Sequence, residues 1–145
     1  MKLEQLKEKF STIFKNESEK VFFAPCRVNL IGEHTDYNGG NVFPCEITQG
    51  TYVLTRKINE KKLKLCSLNF EKFGIIEIDL KNLNYNPNDN WANYPKGIFL
   101  ELEKLRVNFD FGLEILYYGN IPNGAGLSSS ASIELATCVL AQSNY

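Results

Sequence analysis

The sequence predicts an α+β fold in which helices pack on a mixed, mostly antiparallel sheet. Three observations lead to this class. The chain begins with an amphipathic helical stripe, continues through short apolar segments separated by polar turns, and carries two further helical segments in its last third. No internal repeat is present, and 145 residues suffice for one domain with a modest core.

The composition is typical of an ordinary globular protein. Hydrophobic residues make up 43% of the chain, charged residues make up 23%, and the formal net charge is -1. Lys and Arg form no basic block of the kind that binds phosphate backbones, so we expect no nucleic-acid partner. No segment is long and apolar enough to span a bilayer, and the N-terminus is too charged for a signal peptide. We therefore expect no membrane partner and a cytoplasmic location.

The cysteines predict reduced thiols. The chain has 4 Cys and 1 His, and the cysteines are widely spaced without a CxxC pair. Zinc needs clustered ligands, so a metal–thiolate site is not expected.

The first element is an amphipathic helix. Apolar residues recur at helical spacing over residues 3–14, and Lys and Glu occupy the opposite face. The apolar stripe consists of Leu3, Leu6, Phe10, Ile13 and Phe14.

A series of strands follows the first helix. Short apolar or alternating segments, separated by turns such as the polar "NEKK", predict β-structure. Because Pro44 has no N–H to donate, its segment should lie at an edge or a strand end. The predicted strands cover residues 21–24, 28–31, 41–47, 51–58, 63–68 and 73–80.

The last third predicts helix, strand and helix. Asn90 ends an Asn-rich loop and is a good N-cap for a helix over 91–105, in which Pro95 is acceptable only near the first turn. A strand is predicted over 111–119 and a helix over 127–142. In this helix, Ile98, Leu102 and Leu105 lie at helical spacing.

One segment places charged groups directly after a core-like strand. In "RVNLIGEHTDYNGG", residues 27–40, an apolar run breaks at Gly32, and Glu33, His34 and Asp36 follow at once. A sugar presents several hydrogen-bond donors and acceptors, and such a dense set of carboxylates and an imidazole suits it better than one charge. From spacing alone, a solvated loop with Asp36 as a cap remains the alternative.

A second segment joins a strand to a helix through glycines and serines. In "GNIPNGAGLSSSASIELA", residues 119–136, Gly124 and Gly126 let the backbone approach a ligand. The helix start offers free N–H groups and the positive end of its dipole. The segment is neither a Walker loop nor a dinucleotide fingerprint. The residues by themselves fit either a phosphate site or an ordinary helix start.

Together, the two segments resemble the signature of galactokinases and the phosphate-binding motif of the wider GHMP kinase superfamily. The segment "WANYPKG", residues 91–97, resembles a further galactokinase segment, and the three occur in the order of that family. The resemblance extends from about residue 21 to the last helix. It implies that residues 1–145 form the N-terminal domain of a GHMP-type kinase, with the C-terminal domain absent.

On the sugar side, the resemblance implies four binding residues. Glu33, His34 and Asp36 would hydrogen-bond the hydroxyls of galactose. Arg27 would lie near the reacting hydroxyl, where its permanent charge would stabilise the transition state as the catalytic residue. Cys26 stands where the family has glycine, and it would be strained if that position needs a positive φ.

On the nucleotide side, the resemblance implies ATP and Mg²⁺. Trp91 would lie near the adenine, and Ser129 or Ser130 would ligate the metal. The residues that would cradle the phosphates are Pro122, Gly124, Ala125, Gly126, Leu127, Ser128, Ser129 and Ser130.

Three functions remain open. The first is a galactokinase that converts ATP and galactose to ADP and galactose 1-phosphate. The second is a non-catalytic sugar- or nucleotide-binding fragment, and the third is a kinase of a related sugar such as N-acetylgalactosamine. Because the family's catalytic aspartate lies beyond residue 145, we expect little turnover by this chain alone. We also expect self-association through apolar surface of the last helix.

Overall fold

The computed structural model describes residues 1–32, 34–121 and 129–145, without the side chain of Asp36. Three short 3-10 helices also occur there, Asp36–Asn38, Glu71–Phe73 and Pro87–Ala92. The helices and strands of these ranges are α1 (Leu3–Phe14), β1 (Lys20–Ile31), β2 (Phe43–Ile58), β3 (Lys62–Ser67), β4 (Ile76–Asp79), α2 (Asn93–Lys104), β5 (Gly112–Gly119) and α3 (Ser129–Asn144).

The five strands form one mixed sheet in the order β1-β2-β5-β3-β4. The pairings β1/β2, β2/β5 and β3/β4 are antiparallel, and β3/β5 is parallel. The predicted α+β class with a mostly antiparallel sheet is therefore confirmed. The central strand β5 is buried from Gly112 to Tyr117, because helices cover both of its faces.

Each face of the sheet has its own apolar core. On one face, α1 packs Leu6, Phe10 and Phe14 against Leu54 and Leu116, which confirms the predicted N-terminal stripe at its centre. Both α2 and α3 cover the other face. The larger core on that face includes Val53, Leu63, Leu65, Trp91, Phe99, Leu113, Ile115, Tyr117 and Leu140.

Strands predicted as separate segments join into two long strands. β1 runs through Pro25 with a register shift between Pro25 and Cys26. The opposite residue, Gly50, must lack a side chain, because a Cβ there would lie 2.2 Å from the Ala24 carbonyl oxygen. β2 likewise unites the predicted segments 41–47 and 51–58. Pro44 is the second residue of β2, at a strand end as predicted.

Beyond the register shift after Pro25, β1 continues together with the first half of β2 as a two-stranded ribbon. β2 pairs with β5 only from Thr51 onward, so its first half is bonded to β1 alone. Leu30, Ile31 and Phe43 of this ribbon are 62%, 72% and 62% exposed. The ribbon carries Arg27 and leads into the loop that follows β1.

The start of α2 differs from the prediction. Asn90 is not its N-cap, because α2 begins at Asn93 and Asn90 adopts φ 47° and ψ -122° in the turn before it. The Asn90 side chain instead accepts a hydrogen bond from the Trp91 N–H at 2.9 Å. Pro95 lies in the first turn of α2, as predicted.

The apolar residues of α2 and its C-terminal end are buried to different extents. Leu105 follows the last helical residue and is 75% exposed. The chain turns away at the next residue, Arg106, which has φ 64°. Phe99 is fully buried in place of Leu105, and Leu102 packs partly against the core.

α3 has both buried and exposed apolar residues. The start predicted near Leu127 lies outside the described residues, and α3 covers Ser129–Asn144. Leu140 is fully buried, whereas Leu135 and Val139 are 57% and 48% exposed. Among the helices of the described ranges, none has the length and apolar character needed to cross a membrane.

The change Phe99→Ala should destabilise the fold strongly. Because Phe99 is fully buried between α2 and the sheet, we expect a loss of about 3–5 kcal/mol in the free energy of unfolding. Leu105→Ala, directly after the last residue of the same helix, should change the free energy of unfolding by no more than about 0.5 kcal/mol. Urea denaturation followed by circular dichroism measures both, and equal losses would contradict the burial described here.

Stability should fall at high pH through the Tyr117 phenol. Burial raises the pKa of this phenol well above its usual value, although the hydrogen bond with Thr137 at 3.0 Å lowers it in part. In the unfolded chain the phenol ionises near pH 10, so above about pH 10 the unfolded state binds fewer protons and is favoured. Tyr117→Phe should make this loss less steep in alkaline urea titrations, whereas Tyr85→Phe, at an exposed tyrosine, should leave it unchanged.

Candidate functional site

The loop after β1 is closed by its own backbone. Gly32 has φ 100°, and a Cβ on it would lie 2.7 Å from the Asn41 carbonyl oxygen, so only glycine fits. Thr35 Oγ1 lies 2.5 Å from the Gly32 carbonyl oxygen and 3.0 Å from that of Asn41. The Gly40 N–H donates to the Thr35 carbonyl at 2.7 Å. These contacts hold the two ends of the loop together.

His34 is held by hydrogen bonds within this loop. It is exposed and has φ 63°, a conformation that histidine adopts more readily than bulky or β-branched residues. Its Nδ1 lies 2.5 Å from the Tyr37 hydroxyl, and the Asn38 side-chain amide donates to its carbonyl at 2.7 Å. The bond to Tyr37 orients the imidazole through Nδ1, and the other ring nitrogen, Nε2, takes no part in this bond.

Arg27 lies on the ribbon that supports the loop. Its side chain is exposed, and its Nε donates to Asn29 Oδ1 at 3.3 Å. The neighbouring Cys26 is 2% exposed and is not among the residues with positive φ. Cys26 is therefore not strained by a positive φ, and Arg27 follows it as a paired residue of β1, opposite Glu46.

The predicted convergence of the sugar-binding residues stays a prediction. Glu33 and the side chain of Asp36 lie outside the described residues, although the backbone of Asp36 begins a 3-10 helix. The structure places Arg27 on the ribbon and His34 in the loop at its end.

A pocket of about 650 Å³ lies between the segment before α2, the end of β5 and the start of α3. Such a volume is within the usual range for small-molecule sites. Its aromatic lining residues are Phe70, Tyr85, Trp91, Tyr94 and Tyr117. Its polar lining residues are Thr51, Ser67, Asn69, Asn90, Asn93, Ser129 and Ser130.

Trp91 forms part of the wall of this pocket and of the core behind it. The residue is 5% exposed, and its ring meets that of Tyr117 edge-on at 5.6 Å. Its buried Nε1 has no hydrogen-bond acceptor among the residues that the structure describes. The accessible aromatic surface comes from Phe70, Tyr85 and Tyr94, which are 39%, 75% and 48% exposed. Sequence reasoning missed these three, although Tyr94 lies within the quoted "WANYPKG".

The start of α3 reaches the same pocket. Ser129 and Ser130 are exposed and line it together with Trp91. Ser132, in the first turn of α3, is buried. Its hydroxyl donates to the Ala24 carbonyl at 2.8 Å and lies 2.8 Å from Thr51 Oγ1. These contacts fix the first turn of α3 against β1 and β2.

The remaining predicted phosphate-binding residues cannot be placed. They lie outside the described residues and are Pro122, Gly124, Ala125, Gly126, Leu127 and Ser128. Within the described ranges, no cluster of three or more His, Cys, Asp and Glu side chains suits a metal ion.

Two asparagines that sequence reasoning missed hold the end of β5. The side chain of Asn69 accepts from the Gly119 N–H at 2.7 Å and donates to its carbonyl at 2.8 Å. The side chain of Asn120 accepts from the Gly50 N–H at 2.8 Å, and the backbone N–H of Asn120 donates to the Gly50 carbonyl at 3.2 Å. The backbone is thereby fixed directly before the glycine-rich segment.

Comparison with known proteins finds two family models and several relatives that match the chain. The galactokinase galactose-binding signature matches residues 8–57, and the GHMP kinase N-terminal domain matches residues 93–145. The galactokinase of Clostridium beijerinckii is 57% identical over 130 residues, which are 90% of this chain and 33% of that protein. The galactokinase of Streptococcus suis is 52% identical over 145 residues, which are 100% of this chain and 37% of that protein. The chain is therefore similar to galactokinases over nearly all of its own length.

Solved structures of kinases share this fold. The crystal structure of Lactococcus lactis galactokinase complexed with galactose has a TM-score of 0.87 and 48% identity, over 95% of this chain and 36% of that one. The Methanococcus jannaschii mevalonate kinase has a TM-score of 0.73 and 26% identity, over 88% of this chain and 41% of that one. The chain spans about a third of the length of the curated relatives it matches.

Ser132→Ala should loosen the attachment of α3 to the sheet. Its hydroxyl is buried and bonds to two groups, so we expect the free energy of unfolding to fall by about 1–3 kcal/mol. Ser130→Ala, in the same turn but exposed, should change it by no more than about 0.5 kcal/mol. Thermal unfolding of the two variants tests this difference, and a stable Ser132→Ala variant would show that the hydroxyl does not hold the helix.

Proposed function

We propose that the protein is a galactokinase, which transfers the γ-phosphoryl group of ATP to galactose and yields galactose 1-phosphate and ADP. In this proposal, residues 1–145 are the N-terminal domain with the sugar-binding loop and most of the nucleotide pocket. The observation that carries it is the presence, in one chain, of the galactose-binding signature over residues 8–57 and a pocket at the serine-rich start of α3.

Galactose would bind at the loop after β1. His34 and Arg27 are both exposed there, and His34 Nε2 lies outside the bond that orients its ring. Glu33 and Asp36 would add carboxylates for the remaining hydroxyls. The similar Lactococcus lactis galactokinase was crystallised with galactose, which supports this choice of sugar.

ATP would bind in the 650 Å³ pocket. Adenine would lie against the accessible aromatic rings of Tyr94, Tyr85 and Phe70, with Trp91 as part of the wall. The phosphates would extend towards the start of α3, where free N–H groups and the helix dipole favour negative charge. The segment 122–128 would complete this cradle through its glycines.

Arg27 would stabilise the transferred phosphoryl group. A guanidinium is always charged and offers several donors to phosphoryl oxygens as negative charge develops. Mg²⁺ prefers oxygen ligands and keeps several waters, and the exposed hydroxyl of Ser129 or Ser130 suits one position of its shell. When bound with ATP, the metal would neutralise charge on the β- and γ-phosphates.

Sugar binding is the first test. We expect galactose to bind to the chain in isothermal titration calorimetry, with N-acetylgalactosamine binding less tightly. His34→Ala should raise the Kd for galactose about tenfold, since it removes a hydrogen-bonding group of the loop. Lys62→Ala, at a half-exposed side chain of β3 and separated from β1 in the sheet by β2 and β5, is the matched control. Absence of galactose binding, or tighter binding of N-acetylgalactosamine, would contradict the proposed sugar.

Phosphoryl transfer is the second part of the same test. We expect little turnover by residues 1–145 alone, so any galactose-dependent ADP release that Arg27→Ala abolishes would support the kinase activity. If both ligands bind but ADP release does not exceed that of the Arg27→Ala variant, the non-catalytic binding function would be favoured for this chain.

A further inference from the structure

A buried ion pair lies behind the wall of the nucleotide pocket. Lys96, in the first turn of α2, bonds through its Nζ to Asp89 Oδ2 of the preceding 3-10 helix. The side chains are only 3% and 18% exposed. Every other ion pair between described residues has at least one partner more exposed than either of these two side chains.

The same segment is closed by a second set of contacts. The Asn93 side-chain amide donates to the carbonyls of Asn86 at 2.7 Å and Asn90 at 3.1 Å. Its Oδ1 accepts from the Asn86 N–H at 3.3 Å. Asn93 and the ion pair therefore both hold the chain between residues 86 and 96 in one tight fold.

The two ties enclose the turn that places Trp91. Asn90 has a positive φ, which is unfavourable for a residue with a side chain and persists only where the surroundings impose it. Trp91 follows directly, lines the pocket and packs on Tyr117. Tyr94, also in the pocket lining, lies between Trp91 and Lys96 in the chain.

A buried ion pair seldom stabilises a fold more than an apolar pair of the same volume would. Its better-attested use is to select one arrangement among several. We propose that the Asp89–Lys96 pair is a positioning device for the nucleotide pocket, which holds the turn at Asn90 so that Trp91 and Tyr94 form a fixed wall for the base. This role rests on the proposed function only in the identity of the ligand.

The test replaces both charges by apolar side chains. In the double variant Asp89→Leu/Lys96→Met, we expect a thermal midpoint close to that of the unchanged chain, because no charge is left buried alone. We expect the Kd for ATP to rise about tenfold, a loss of about 1.4 kcal/mol. Trp91 is the single tryptophan of the chain, so its fluorescence follows the titration. The double variant Lys62→Met/Glu77→Leu removes an exposed pair at 3.2 Å and is the control.

The spectrum of the free protein tests the inference independently of ATP. A changed Trp91 emission maximum and near-ultraviolet circular dichroism in the first double variant, with the control unchanged, would support the positioning role. An unchanged Trp91 spectrum would overturn it. Failure of the unaltered chain to bind ATP would contradict the proposed function while leaving this spectral test intact. If the first double variant does not fold, Asp89→Asn/Lys96→Gln, which removes both charges and keeps hydrogen-bonding groups at both positions, undergoes the same comparison.

Discussion

The candidate site depends on the hydrogen bonds of one buried hydroxyl. Ser132 joins the first turn of α3 to Ala24 of β1 and Thr51 of β2, and it is 1% exposed, so water does not compete for these partners. Ser129 and Ser130 precede it by less than one helical turn, so their position follows from this attachment. Ala24 lies about 10 Å along β1 from Arg27. A single point of contact thus relates Ser129 and Ser130, at the start of α3, to the strand that carries Arg27.

Elements with a clear periodicity could be predicted from the sequence. The stripe of α1 repeats at helical spacing, and the residues of β5 are apolar enough for a central strand. The joints between elements could not be predicted in the same way. Gly50 looks like an ordinary turn residue, but a Cβ on it would lie 2.2 Å from the Ala24 carbonyl oxygen, so only glycine lets β2 pass this point beside β1. Asn90 is of a residue type that is common at N-caps, but tertiary contacts impose a positive φ on it.

The same distinction applies to the site. Trp91, Ser129 and Ser130 lie in quoted motifs and do line one pocket, because their motifs occupy the two elements that border it. Asn69 and Asn120 could not be found, because they act on the backbone of Gly119 and Gly50 and carry no chemistry that a motif would reveal. Whether Glu33 and Asp36 join His34 remains a prediction from the resemblance.

The ribbon formed by the ends of β1 and β2 has a consequence for the energetics of the proposed sugar binding. Two strands without further neighbours are marginally stable, and this ribbon has exposed apolar residues and hydrogen bonds on one side of each strand only. Its amides should therefore exchange with solvent by local opening at a lower free energy than those of β5. A ligand that binds Arg27 and the loop at once spends part of its binding free energy on closing the ribbon. Its measured affinity is then lower than the contacts alone would provide, and the ribbon becomes ordered in proportion to occupancy.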